Sequence, residues 1–447
     1  MFTNTTTIDG VPETALQGSL RDFRVMEGQD LLARCNAFYD WQDNRRQAGT
    51  WPYARSTETG PASTCAVRDD SGNLTSGVNF ASQDYLSLSS HPAVLAAAKE
   101  AIDEFGAHSA GSPALLGNTS TSVALEGRIA RFLKMEEAVL FPTGWAAGFG
   151  VIKGLVRSHD YVVIDALAHA CLQVGAQAAT RNVILFRHND LEHCRQRLID
   201  IRNREPNAGI MVVTEGLFSM DSDTPDLLAF QNLAHEYGAT LMVDVAHDLG
   251  ALGPNGTGHI GIQNMLGRID LVMGSFSKTF GSNGGFVATN SRAVKEYLRY
   301  YAPSCTFSNA LSPAQLATVT KALDIVESAE GQVLRDRLMA NIIKLRTLLR
   351  ERGMDYYGDP SAIVAVKMGN EALARMTARA LPLMGLISNL VEFPAVGKGV
   401  ARFRLQVMAG HTDAEITAAA DRLHAAMKLA QAQLDAGHDG FEMLRAG

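Results

Sequence analysis

Short apolar runs alternate with longer stretches of helical periodicity through the middle of the chain. Such runs lack the polar–apolar alternation of a half-exposed strand, and they are typical of strands buried on both faces of a parallel sheet. The pattern therefore predicts an α/β domain with a mainly parallel sheet covered by helices. The five clearest runs are YVVID (161–165), VILFR (183–187), GIMVVTEG (209–216), TLMVDVAH (240–247) and LVMGSFS (271–277).

The pattern on either side of these runs predicts three parts. Residues 1–75 are polar and mixed, with one helix around 27–46, and are interpreted as an N-terminal arm. Residues 76–314 are interpreted as the large domain. Residues 315–447 are interpreted as a smaller C-terminal α/β domain, with a long helix over 312–353 and a last helix that begins near residue 411.

Composition narrows the function classes. Of the 447 residues 46% are apolar and 19% are charged, as in an ordinary globular enzyme, and the net charge of −7 without a long basic run argues against nucleic-acid binding. Five scattered cysteines without a C-x-x-C pair predict reduced thiols in a cytoplasmic protein. Neither a signal peptide nor a membrane-spanning segment is expected.

Polar residues that could take part in catalysis or in ligand binding follow the predicted strands. Ligands of open parallel sheets bind at the carboxyl ends of the strands, so these residues are expected to meet at one edge. A single histidine or lysine in such a place is usually structural, but a collection of them at one edge favours a site. The residues are Asp165, His169, Glu215, Ser219, Asp244, His247, Ser275, Ser277 and Lys278.

Three other motifs resemble known functional patterns but lack essential parts of them. Ser275-x-x-Lys278 fits the S-x-x-K pattern of penicillin-recognising enzymes, but the chain has neither S-D-N nor K-T-G. DSDTPD (221–226) lacks the glycine and the final acid of a calcium loop. His188 and His193-Cys194 have no second pair of metal ligands, and a helix cap at Asn189 or Asp190 is the better interpretation, so no metal site is predicted.

The remaining constellation matches pyridoxal phosphate (PLP) chemistry. This cofactor needs a lysine for a Schiff base, a carboxylate against its ring nitrogen, neutral donors for its phosphate, and a flat side chain against its ring. Lys278, Asp244 and His169 supply three of these. Ser275 and the turn TGWAAG (143–148), which contains Gly144 and Trp145, supply the phosphate donors.

Segment 275–284 resembles the lysine-attachment signature of the class II aminotransferases, and residues 76–425 resemble an α-oxoamine synthase. The family's motifs recur in order as NFASQDYLSLSSHP, FPTGWAAG, DALAHA, TEGLFSMDSD, VDVAHDLGALGPNGTG and TFSNALSP. The resemblance implies a fold type I PLP enzyme with a mainly parallel seven-stranded sheet. It further implies decarboxylative condensation of an amino acid with an acyl thioester, carried by coenzyme A or a carrier protein.

The resemblance also implies roles for single residues. His169 stacks on the cofactor ring, Asp244 bonds the ring nitrogen, and Ser219 and His247 bond the phenolic oxygen. Ser308 or the adjacent Asn309 reaches the phosphate of a neighbouring subunit, which implies a homodimer with shared active sites. In ARFRLQVMAGHT (401–412), Arg404 grips the amino-acid carboxylate; without the resemblance, these residues would be interpreted as a solvated strand face.

Five departures from the family pattern leave the substrates open. Gln83 stands where an asparagine near the substrate carboxylate is usual; the others are Pro113, Ser122, Asp248 and Thr279. The segment GALGPNG and the long N-terminal arm resemble serine palmitoyltransferases most. The alternatives are a related synthase that uses glycine or alanine, another fold type I reaction such as transamination or decarboxylation, and a non-catalytic partner subunit. Such partner subunits lack the lysine, whereas this chain has Lys278.

Overall fold

The computed structural model of the protein describes residues 7–445. These residues form two compact units, of which the first combines the N-terminal part up to Ser82 with the part from Ala340 onward. The second unit is Gln83–Met339. The predicted division into an arm, a large domain and a small domain stays a prediction. In the part of the chain that the structure describes, no helix has both the length and the apolar character needed to cross a membrane.

The N-terminal part of the first unit contains short elements. Its main helix begins at Asn36, later than the sequence predicted, because the Asp30 carboxylate accepts the Leu32 and Ala33 N–H groups in a local turn. The elements are strands β1 (Thr7–Ile8), β2 (Val11–Pro12), β3 (Ser56–Thr57), β4 (Thr64–Arg68) and β5 (Leu74–Asn79), helices α1 (Glu13–Leu16) and α2 (Asn36–Gln47), and 3₁₀ turns at Leu20–Phe23 and Ala33–Cys35.

The second unit alternates strands and helices. Its strands are β6 (Glu137–Phe141), β7 (Tyr161–Asp165), β8 (Val183–Phe186), β9 (Ile210–Glu215), β10 (Thr240–Asp244), β11 (Leu271–Ser275) and β12 (Gly285–Thr289). Its helices are α3 (Pro92–Phe105), α4 (Ser120–Phe132), α5 (Gly144–Leu155), α6 (Ala170–Ala179), α7 (Leu191–Arg204), α8 (Leu227–Glu236), α9 (Gly258–Ile262), α10 (Arg292–Tyr301), α11 (Pro303–Thr306) and α12 (Pro313–Val326). The five apolar runs all form strands, as predicted.

These seven strands form one sheet in the order β6-β12-β11-β10-β9-β7-β8. Only β12 runs antiparallel to its two neighbours, so the prediction of a mainly parallel seven-stranded sheet is confirmed. Side chains of β7, β9, β10 and β11 pack with helices α5 and α6 into a buried apolar cluster. Because the sheet is buried in this way, the backbone at the carboxyl ends of its strands is held in place.

Strands β11 and β12 enclose the loop that carries Lys278. Ser275, the last residue of β11, is opposite Gly285, the first residue of β12. The Phe276 N–H donates to the Gly284 carbonyl at 2.9 Å, and the Gly281 N–H donates to the Lys278 carbonyl at 3.1 Å. The loop is therefore closed by the sheet at both ends.

The C-terminal part begins with helix α13 (Ala329–Glu351), which runs across the boundary between the units. The prediction of one helix over 312–353 is wrong at Glu327–Ser328, where α12 has ended and α13 has not begun. The Ser328 hydroxyl accepts the Gly331 N–H at 3.3 Å, which starts a new helix. The other elements are strands β13 (Ile363–Gly369), β14 (Leu386–Ile387), β15 (Asn389–Val391) and β16 (Ala401–Gln406), helices α14 (Glu371–Ala380) and α15 (Asp413–Arg445), and a 3₁₀ turn at Pro382–Met384.

Candidate active site

A cavity of about 240 Å³ lies at the carboxyl edge of the seven-stranded sheet. It is lined by residues that follow or end strands β7, β9, β10 and β11, together with the first turn of α5. Besides Glu215, eight residues that the sequence singled out come together here: Gly144, Trp145, His169, Asp244, His247, Ser275, Ser277 and Lys278. The site therefore forms where the strand directions lead one to expect it.

One end of the cavity offers neutral hydrogen-bond donors. Helix α5 begins at Gly144, and the Thr143 hydroxyl caps it by accepting the Ala146 N–H at 3.0 Å. The Ser275 and Ser277 hydroxyls lie 2.8 Å apart beside this helix terminus. A Cβ atom on Gly144 would collide with the Ser275 side chain, so glycine keeps the space open. Helix amides and hydroxyls around such a space fit a phosphate group.

Two carboxyl groups are buried next to each other in the cavity wall. Asp244 and Glu215 are opposite each other on β10 and β9, and they are only 5% and 3% exposed. Burial and then the neighbouring Asp244 charge raise the pKa of Glu215 well above its usual range. Burial also raises the pKa of Asp244, while the charges of His169 and Lys278 act to lower it. Of the two, Glu215 is thus the one held neutral, and Asp244 is the one able to ionise against a cation.

The two histidines of the cavity are held by named partners. The His169 backbone N–H donates to the Glu215 carboxyl group at 2.6 Å, and the ring Nδ1 lies 3.0 Å from Cys171 Sγ and accepts the Cys171 N–H at 3.3 Å. Burial raises the pKa of the Cys171 thiol, which stays protonated beside the ring. The His247 Nδ1 lies 2.9 Å from the Tyr85 hydroxyl. Each ring is therefore fixed in orientation by the protein itself.

The donor set fits PLP. Lys278 is half-buried and lines the same cavity as Asp244, and its charge acts to lower the pKa of Glu215 and of Asp244. An amine, an ionisable carboxyl, a flat ring at His169 and the hydroxyls beside Gly144 are the four requirements named above. The residue types and their common cavity agree with the cofactor that the sequence predicted.

Other predicted residues lie elsewhere among the described residues. Ser219 is buried in the loop after β9, and Ser308 follows α11; neither lines the cavity. Gln83 is half-buried near the start of the second unit and also does not line it. Arg404 belongs to the first unit, half-buried on β16, where it is opposite Asn389 on β15. The roles of these four residues stay predictions.

Three lining or supporting residues were not assigned from the sequence. Glu215 was noted only as the end of a strand, and Tyr85 and Cys171 were not singled out. The signal for Glu215 is its place at the end of a fully apolar run, where a carboxylate is as unusual as Asp244. Tyr85 and Cys171 carry no such signal, because their contacts with His247 and His169 depend on tertiary structure.

The residues that depart from the family pattern lie outside the cavity lining. Asp248 is fully buried, and its Oδ2 accepts the His259 N–H at 2.6 Å. Burial raises the pKa of Asp248 to about 7. Ser122 is buried at the start of α4, where its hydroxyl donates to Asn118, and Thr279 is buried directly after Lys278. Pro113 is half-buried in the loop before α4.

Comparisons with known proteins agree with this site. Residues 75–423 match the family model of aminotransferase class I and II. The 2-amino-3-ketobutyrate coenzyme A ligase of Escherichia coli K12 is 34% identical over 77% of this chain and 86% of its own length. The 8-amino-7-oxononanoate synthase of Geobacter sulfurreducens is 37% identical over 76% of this chain and 86% of its own. A serine palmitoyltransferase variant from S. paucimobilis, solved with PLP and myriocin bound, is 31% identical, with a TM-score of 0.84 over 90% of this chain and 100% of that chain.

The chain belongs to the α-oxoamine synthases, within the aminotransferase class I and II family. It has the fold of the type I PLP-dependent transferases, and PLP is its cofactor. It is an acyl-transferring enzyme that condenses an amino acid with an acyl thioester and releases carbon dioxide.

Proposed function

We propose that PLP binds in the cavity at the carboxyl edge and that the predicted residues hold it there. Gly144, Ser275 and Ser277 would hold the phosphate, and Asp244 the ring nitrogen. Lys278 would attach the cofactor covalently. The observation that carries this proposal is the meeting of eight predicted residues around one cavity. Trp145 and His169 would bound the cofactor ring, and His247 and Ser219 would bond its phenolic oxygen.

The residues of the chain divide the catalytic work. Bound PLP supplies a ring that accepts negative charge from the Cα of the amino acid. The Lys278 amine takes the proton from that Cα and later returns a proton to the product. Asp244, whose neighbour Glu215 is held neutral, would in its ionised form hold a proton on the ring nitrogen of bound PLP. His247, oriented by the Tyr85 hydroxyl, offers a fixed hydrogen bond to the cofactor.

The substrates we propose are serine and a long-chain acyl thioester. What supports serine is the likeness to the serine palmitoyltransferase from S. paucimobilis, which matches 90% of this chain at 31% identity. Arg404 is proposed to bind the amino-acid carboxylate, and Gln83 to lie near it. Glycine and alanine with shorter acyl chains are the next pairs to try.

The test separates the reaction classes by their products. The purified enzyme with serine alone should exchange the α-proton with deuterated water and release almost no carbon dioxide. Adding the acyl thioester should release free thiol and carbon dioxide in equal amounts. Carbon dioxide without thioester would identify a simple decarboxylase, and consumption of a keto acid without thiol would identify an aminotransferase. Either result would overturn the proposed condensation.

We further propose a homodimer with shared active sites. Leu115, Leu116 and Phe307 are 83%, 93% and 86% exposed, which is unusual for large apolar side chains. Their loops are tied together, since the Ser112 hydroxyl donates to the Thr306 carbonyl at 2.6 Å. Ser308 follows directly, so a second copy that covers these side chains would also meet Ser308. Analytical ultracentrifugation should give twice the chain mass, and a monomer at micromolar concentration would contradict the proposal.

A cytoplasmic location completes the proposed function. The five cysteines are free thiols, and four of them are buried, which suits a reducing compartment. Fractionation of cells that express the protein should recover it with cytoplasmic markers.

A further inference from the structure

His188, for which the sequence predicts no metal site, lies between two carboxylates. It sits in the loop between β8 and α7. Its Nδ1 is 3.0 Å from Asp165 Oδ1, and its Nε2 is 2.9 Å from Asp223 Oδ2. A neutral imidazole has only one N–H, so it could satisfy only one of these two acceptors. With both aspartates ionised, only the doubly protonated ring satisfies this geometry, and His188 is then a cation between two anions.

The two carboxylates belong to different loops of the site. Asp165 ends β7, is fully buried, and accepts the Leu167 N–H at 2.8 Å, so it shapes the turn that leads to His169. Asp223 lies in the loop after β9, where its carbonyl accepts the Phe218 N–H at 2.9 Å. The Phe218 ring also meets the edge of the His188 ring at a centroid distance of 4.5 Å. The next residue along the chain is Ser219.

We propose that His188 is a positioning residue of the cofactor site: its imidazolium bridges Asp165 and Asp223 and so fixes the loops that carry His169 and Ser219. The inference rests on the proposed function, because it assumes that those loops bind PLP. His188 itself does not line the cavity, so it acts through the two carboxylates. The three segments that it joins follow three adjacent strands of the sheet, β8, β7 and β9.

The electrostatics of the bridge agree with this geometry. Burial lowers the pKa of His188, but the hydrogen bonds to Asp165 and Asp223 outweigh it and raise that pKa to about 10. A histidine pKa raised on folding stabilises fully below the unfolded value near 6.5, and the stabilisation is lost as the pH rises through about 10. Of the groups nearby, Asn189 is uncharged and donates an amide N–H to Asp223, and burial raises the pKa of Cys194 to about 12. Burial also raises the pKa of Glu215, which interacts with Asp165 and is unchanged in the variants below.

The first experiment compares PLP affinity in the wild type and in His188→Gln between pH 7.5 and pH 10.5. Glutamine can hydrogen-bond but carries no charge, so the variant should bind PLP about ten- to a hundredfold more weakly at pH 8. The ratio of the two dissociation constants should fall towards one near pH 10.5, where the wild-type ring is itself neutral. Titration of Lys278 or of PLP affects both proteins and cancels in the ratio. A ratio that stays constant with pH would reduce His188 to an ordinary packing residue and overturn the proposal.

The matched control is His235→Gln. His235 also lies 2.9 Å from an aspartate, Asp270, but this pair is at the amino edge of the same sheet. The control should bind PLP like the wild type at every pH. A loss equal to that of His188→Gln would show that the effect does not come from this bridge.

The second experiment needs no cofactor. In ¹⁵N-histidine spectra of the protein without PLP, His188 should show two protonated nitrogens at pH 8 and should titrate near pH 10. Titration near 6.5 would overturn the bridge. If His188→Gln does not fold, Asp223→Asn serves instead: it removes one acceptor, so the ring should titrate at lower pH and PLP should bind more weakly, and an unchanged titration would contradict the proposal. Failure of the wild type to bind PLP would instead count against the proposed function.

Discussion

The two edges of the seven-stranded sheet treat charge differently. The carboxyl edge has a cavity of about 240 Å³, whereas the amino edge has a larger one of about 550 Å³. At the amino edge, His235 Nε2 lies 2.9 Å from Asp270 Oδ1, and the two side chains are 58% and 27% exposed. At the carboxyl edge, Asp244 and Glu215 are almost completely buried and lie side by side. An exposed charged pair changes the free energy of folding little. Two neighbouring buried carboxyl groups lower stability when both are ionised, so such a pair is found mainly where it serves a function.

The comparison shows that the size of a cavity is a poor guide to the active site. The smaller cavity differs from the larger one because it is lined by titratable groups, Glu215 and Asp244, whose pKa values are raised by burial.

The largest effect is expected for Lys278→Ala. Without the amine, no group can attach the cofactor or take the Cα proton, so turnover should fall by about 10³-fold or more. Borohydride reduction followed by mass spectrometry should find PLP covalently bound to Lys278 in the wild type and absent from the variant. Arg268→Ala, which removes a cation from the amino-edge cavity, should keep normal turnover. Normal condensation by the Lys278 variant would end the assignment of the site.

The next effect concerns two arginines on β16 of the first unit. One is buried against a neighbouring ring, and the other is accessible enough to bind a substrate. The Arg402 guanidinium is buried and lies 4.0 Å from the centre of the Tyr357 ring, whereas Arg404 is half-buried. Arg404→Ala should weaken amino-acid binding by about 2–5 kcal/mol, the usual cost of removing a buried charge partner. The absorbance of the bound cofactor should not change. Arg402→Ala should mainly lower the melting temperature, and the reverse pattern would show that Arg402 grips the substrate.

Asp244→Asn should cause a smaller loss, confined to turnover. The phosphate contacts remain, so PLP should still bind. A hydrogen bond to a charged group contributes about 1.5–3 kcal/mol, so kcat should fall about ten- to a hundredfold or more. Asp270→Asn is the matched control at the start of the adjacent strand β11, and it should be silent. Equal turnover of the Asp244 variant and the wild type would place the ring-nitrogen carboxylate elsewhere.

The smallest effect on turnover is expected for Asp248→Asn, because this substitution changes the free energy of unfolding instead. The pKa of Asp248 is raised to about 7, so the folded state holds its proton more tightly than the unfolded state. Wild-type stability from this group therefore falls as the pH rises from about 4 to 7. The variant cannot ionise, so its stability gain over the wild type should be larger at pH 8 than at pH 5 by roughly 2–3 kcal/mol. Denaturant unfolding at the two pH values measures this, and an equal difference at both would contradict the raised pKa.

The sequence predicted the sheet well because its strands are buried on both faces, so each strand is an unbroken apolar run. It also predicted which residues end those strands, and the parallel direction then brings His169, Asp244 and Lys278 to one edge. The helix over 312–353 was predicted without its break, because a single serine cap at Ser328 weighs little against 40 residues of helical pattern.

The sequence could not predict the contacts that fix protonation. Glu215 and Asp244 become neighbours only through the pairing of β9 with β10, and nothing in either segment specifies that register. His188 meets Asp165 and Asp223, which are 23 and 35 residues away. Such contacts depend on the order of strands in the sheet, which the alternation of apolar runs leaves undetermined.

The hairpin of β11 and β12 around Lys278 has a mechanical consequence. In the proposed function, Lys278 would hold the cofactor between turnovers, and its amine would be free to take the Cα proton while substrate is bound. Because β11 and β12 pair at both ends of the loop, the backbone of Lys278 is held near the cavity, and the amine is tethered there by its own side chain. A tethered reactant has a very high effective concentration, so recapture is faster than escape of the cofactor into solution. If Lys278 attaches PLP as proposed, the antiparallel pairing of β11 with β12 would help the enzyme to keep its cofactor from one turnover to the next.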